Sequence, residues 1–135
     1  MRTIRIHDLD QRGVLAFDLK DILAELGPKA SRAFWNVSPV EQVTDGGLDV
    51  TGESAAELEQ LAHSGERING RRFVKLAEKA RQVIWGKFAG YDEPASPNPW
   101  IVIVAYDSSW FEVRSTDEAA LSRLGAAFND VRSVP

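Results

Sequence analysis

The seven residues Trp100-Ile101-Val102-Ile103-Val104-Ala105-Tyr106 form an unbroken apolar run rich in β-branched side chains. Nothing else in the chain limits the fold as much. Such residues fit a pleated surface, and a run without polar alternation reads as a strand covered on both faces. It is far too short to cross a bilayer. Asp107-Ser108-Ser109 follows, with side chains that bond their own backbone and favour a turn. Trp110, Glu112 and Arg114 then alternate with Phe111 and Val113, the period-two pattern of a half-buried strand. A C-terminal hairpin over about 100–106 and 110–114 is therefore expected.

Helices are expected over about 19–26, 55–64, 71–84 and 116–128. Asp18 is placed to cap the first, which puts Leu19, Ile22, Leu23 and Leu26 on one face, and Gly27-Pro28 ends it. Ser54 with Glu57, and Ser115 with Glu118, have the spacing of capping boxes. In the third segment Phe73, Leu76, Ala77, Ala80 and Ile84 share one side, although Val83-Ile84-Trp85 could equally begin a strand. Weaker strand signals lie at 3–6, 14–17, 33–37, 40–44, 48–51 and 131–134. Pro94, Pro97 and Pro99 make 89–99 a loop. Strands followed by helices, with a late hairpin, predict an α+β fold: a mostly antiparallel sheet with three to four helices packed mainly on one side.

The chain has 135 residues, of which 44% are hydrophobic, so one domain spanning 1–135 with a single core is expected. With no cysteine, disulfide frameworks, thiolate metal sites and a cysteine nucleophile are excluded. Met1-Arg2-Thr3-Ile4 leads straight into polar sequence, so no secretory leader is expected, and the location expected is the cytoplasm of a bacterial-type cell. No membrane association, metal or cofactor is expected either.

The motifs that resemble catalytic or phosphate sites do not hold up. Gly65 and Gly70 have the spacing of a P-loop, but Arg71-Arg72 stands where lysine and a hydroxyl residue are needed. Asp8 and Asp10 beside His7 offer too few ligands for a divalent cation. His63 near a helix end is explained by the dipole, and Ser108 and Ser109 lack the glycines of a nucleophile elbow.

Charge is the informative feature. Residues 66–87 carry seven basic and two acidic side chains, net +5, whereas the rest carries nine and eighteen, net −9. Arg71, Arg72, Lys75 and Lys79 form one stripe on a helix, preceded by an acidic stretch from Glu41 to Glu59. Segregated charge steers partners, and exposed tryptophan and tyrosine anchor them. The expected function is a non-enzymatic protein-interaction module, of adaptor or immunity-protein type, using that stripe with Trp110 and Tyr91 as aromatic anchors. Two alternatives are carried. One is a small-ligand protein or enzyme with a pocket between helices and sheet, where Trp85, Tyr106, Asp107 and Ser109 are the groups to inspect. The other is weak nucleic-acid binding through the stripe, disfavoured by a net charge of −4.

Overall fold

A computed structural model describes residues 1–41 and 47–135. The turn expected around Asp45-Gly46, and most of the strand expected over 40–44, lie outside the described residues. The elements run β1 (Arg2–Ile6), α1 (Leu19–Leu26), α2 (Pro28–Arg32), β2 (Phe34–Ser38), β3 (Asp49–Gly52), α3 (Ala55–Ser64), β4 (Ile68–Asn69), α4 (Gly70–Lys79), β5 (Ala80–Tyr91), β6 (Ile101–Tyr106), β7 (Trp110–Ser115), α5 (Glu118–Ala127) and β8 (Val131–Val134). Among the described residues the strands form one eight-stranded sheet in the order β4-β2-β5-β6-β7-β1-β8, with β3 also paired to β5. Every pairing is antiparallel. The fold is α+β, as the alternation of patterns predicts.

The long β5 organises the sheet. Its 12 residues pair with β6 on one side, and with β2 and β3 in succession on the other. The helix expected to continue to 84 stops at Lys79 for this reason: Ala80 turns extended, and Val83 and Trp85 join β3. A second departure is α2. Gly27 ends α1 at φ 63°, but Pro28 does more than stop the chain, because its fixed φ suits the first turn of a new helix. Residues 14–17 are no strand, contributing only an isolated bridge between Leu9 and Leu15.

Two of the expected caps work differently. Ser54 sits at the start of α3 but donates its hydroxyl to Leu76 O at 2.7 Å, tying α3 to the end of α4. Asp117 caps α5 by accepting from Ala120 N, while Ser115 Oγ donates to Trp100 O and accepts from Asp117 N. In the P-loop look-alike, Gly65 is a left-handed helix end, and Gly70 lets α4 press against α2. A methyl group at 70 would overlap the carbonyl oxygens of Ala30 and Ser31.

Helices and sheet share one main core. Ile101, Ile103 and Ala105 of β6 belong to it with Leu19, Ile22, Leu58, Phe73 and Leu121, and Phe73 stacks on Trp35 and packs at a tilt against Phe88. The alternate residues of the same strand, Val102 and Val104, belong to a smaller cluster with Val40 and Ala89, bordered by Trp85, Tyr91 and Tyr106. Among the described residues that cluster contains no helix residue. Among the described residues the helices cover one face of the sheet, and on the other Trp85, Tyr91 and Tyr106 pack against the buried valines.

Candidate functional site

The basic stripe is real and faces outward. α4 buries Gly70, Phe73, Leu76 and Ala77, which leaves Arg71, Arg72, Lys75 and Lys79 within an arc of roughly 100° on the opposite side, all exposed. Arg72 is paired: its guanidinium reaches Glu57 Oε2 of α3 at 2.6 and 3.1 Å. Arg71, Lys75 and Lys79 have no ion-pair partner among the described residues. The first turn of α4 holds no acidic side chain and is capped by neutral Asn69, whose Oδ1 accepts from Arg72 N. Two arginines thus stand at the positive end of the helix dipole, where a cation is unfavourable by about 0.3–1 kcal/mol.

The aromatic anchors do not share this side. β7 alternates so that Trp110, Glu112 and Arg114 lie on the sheet face away from the helices, and Tyr91 borders the same face. Tyr91 is half-buried beneath Arg67, whose guanidinium carbon lies 3.4 Å from the ring centroid and whose Nη1 donates to Pro94 O and Ser96 O. Trp110 is half-buried in a stacked row, with centroids 5.2 Å from Tyr106 and 5.6 Å from His7. Trp85 meets Tyr106 edge-on at 6.1 Å. Burial pushes the Tyr106 hydroxyl above its ordinary pKa, with Glu112 adding to the effect. Burial, followed by Arg132, pushes His7 below its own.

A pocket between helices and sheet was expected around Trp85, Tyr106, Asp107 and Ser109. Trp85 and Tyr106 instead lie on the face without helices, because the β5–β6 register pairs them there. Asp107 and Ser109 are exposed in the β6–β7 turn, where Asp107 and Ser108 adopt φ of 49° and 58°. A recess of about 230 Å³ does open beside Tyr106, lined also by Val40, Glu41, Lys87, Val104, Glu112 and Arg114. Of the four expected residues, Tyr106 alone lines it.

The centre of this recess was not read from the sequence. Glu112 is only 7% exposed, although it lies on the face without helices. Its Oε1 accepts from Arg5 Nε at 3.3 Å, and its Oε2 lies 3.4 Å from Arg114 Nε, outside hydrogen-bonding geometry. The registers Arg5↔Glu112 and Thr3↔Arg114 bring these charges together from β1 and β7, which are far apart in the chain. The signal available in the sequence was the charged alternation Glu112, Arg114 on a strand next to a fully apolar one.

Elsewhere, the carboxylates near His7 serve turns. Asp8 accepts from Asn129 N and Asp130 N, and Asp10 from Arg12 N and Val14 N. His63 is exposed at the end of α3. Among the described residues no three His, Asp or Glu side chains converge as a metal site, and no helix is long and apolar enough to cross a membrane. Comparisons of the chain with protein-family models, with curated proteins and with solved structures return no match.

Proposed function

We propose that this protein is a small interaction module that docks an acidic surface of a protein partner onto the outward side of α4. The observation that carries this reading is the placement of Arg71 and Arg72 in the first turn of a helix with no acidic residue there. Local electrostatics oppose that arrangement, and Glu57 offsets it for Arg72 alone. Positions that break a local rule without an internal compensation are where function is expected. Arg71, Lys75 and Lys79 would meet carboxylates of the partner, and the concentrated charge would speed encounter. Trp110 and Tyr91 take no part in this contact, since they belong to the opposite layer.

Nucleic acid fits the stripe less well. Glu57 projects into its edge, and the remainder of the chain is strongly acidic, so a phosphate backbone would be repelled on either side. The test is affinity capture from cell extract, comparing the native protein with Arg71→Glu/Lys75→Glu. A stoichiometric protein complex lost in the double variant and weakened by salt is expected. Recovery of the same complex by both forms, or of nucleic acid alone, would overturn the proposal.

A further inference from the structure

The face without helices carries a second feature, independent of the stripe on α4. Arg5 and Arg114 flank one buried carboxylate there, that of Glu112, and Lys87 lines the recess beside it. Arg5, Arg114 and Lys87 have side chains 40%, 40% and 33% exposed, so each is partly withdrawn from water. Glu112 faces both arginines through their Nε atoms. A guanidinium has five N–H donors, and Nε is only one of them. Among the described residues the terminal nitrogens of Arg5 and Arg114 make no hydrogen bond, and Arg114 Nε is itself buried without one. Lys87 fares no better, because its nearest carboxylate, on Glu41, is 4.0 Å away and its side chain is 83% exposed. A pair that loose and wet contributes little.

Among the described residues, Arg114 and Lys87, which line the recess, therefore keep donors that no protein group meets with a hydrogen bond. Partly buried cations are favourable only when their donors are met. Glu112 also holds the Arg5 guanidinium by a hydrogen bond and lies against that of Arg114, which reduces the ordering cost of binding. Val104 forms an apolar floor, and Tyr106, held by Trp110 and Trp85, forms a wall. A forked guanidinium beside an ammonium matches the oxygens of a carboxylate or a phosphate. At about 230 Å³ the recess suits one such group with a small appendage, not a dinucleotide or a large cofactor.

We propose that Arg114 and Lys87, organised by Glu112 and Arg5, form a binding site for the oxyanion group of a small molecule, a carboxylate or a phosphate. The guanidinium fork of Arg114 and the Lys87 ammonium hold the oxygens. Arg5 does not line the recess; it lies behind Glu112, over the Trp110 ring at 5.6 Å, and couples occupancy to that indole through the carboxylate.

Tryptophan fluorescence and calorimetry test this by titrating the native protein with inorganic phosphate and, separately, with benzoate. Saturable binding of at least one probe is expected, and which one binds tells phosphate from carboxylate. Lys87→Met should weaken that binding at least tenfold. Lys87 makes only the loose contact with Glu41, so its fold is unthreatened; Arg114→Gln is the second variant. Lys20→Gln, at an exposed position of α1, should bind as the native protein does. No saturable binding of either probe by the folded protein, or equal affinity in Lys87→Met, would overturn the proposal. Neither result bears on the α4 contact, which is read from capture of a protein partner.

Discussion

The carboxylate of Asp18 accepts from Leu19 N at 2.7 Å and also from Val83 N at 3.2 Å, across 65 residues of sequence. In return, Asp18 N donates to Asp21, completing a capping box. A capping side chain thus becomes a clamp between α1 and β5. Asp18→Ala should destabilise the protein by about 2–3 kcal/mol, the cap contributing about 1 and the orphaned Val83 N–H the remainder. Urea denaturation measures it. The clamp carries a charge cost, because burial pushes the Asp18 carboxyl above its ordinary value of 3.8, outweighing its hydrogen bonds. A raised carboxyl pKa favours the folded state at low pH and loses that contribution as pH rises. Asp18→Asn keeps an acceptor without the charge, so its stability relative to the native protein should climb as the pH is raised above 3.8. A relative stability that falls over the same range would show that the hydrogen bonds dominate.

At the level of elements, the helices that fill one face of the core were legible where a cap and an apolar stripe coincide. The expected 19–26 and 55–64 are the observed Leu19–Leu26 and Ala55–Ser64. The α4/β5 junction was ambiguous for a physical reason. Ala80 and Ile84 continue the helical stripe, and only pairing with β3 and β6 makes that segment extended. Gly70 was legible as a chain breaker but not as a contact, since its role depends on where α2 lies. Gly70→Ala should cost about 3 kcal/mol by forcing α4 away from the Ala30 and Ser31 carbonyls, a loss visible in thermal unfolding. The first turn of α4 gives the opposite expectation. Arg71→Glu replaces a cation with an anion at the positive end of the dipole and should stabilise the fold by about 0.5 kcal/mol, measured by urea denaturation. A stabilising change that also impairs binding would identify Arg71 as held in place by function.

Across the whole molecule, one sheet separates two chemically different sides. The helix layer presents the α4 cations. The other face presents the row of His7, Trp110, Tyr106 and Trp85 beside the Arg5–Glu112–Arg114 cluster. The stripe was readable from sequence because its residues are close together on one helix. The cluster was not, because it depends on the register of β1 against β7, a pairing between opposite ends of the chain. The aromatic residues were noticed by composition, yet their side of the sheet follows from strand parity and could not join them to the stripe. The central claim is that the α4 cations steer and hold an acidic protein. It is tested most directly by the association rate of the captured partner across a salt series, for the native protein and for Arg71→Glu/Lys75→Glu. The native rate should fall steeply with salt while the variant associates roughly tenfold more slowly with little salt dependence. Equal rates and equal salt dependence in the two proteins would contradict it.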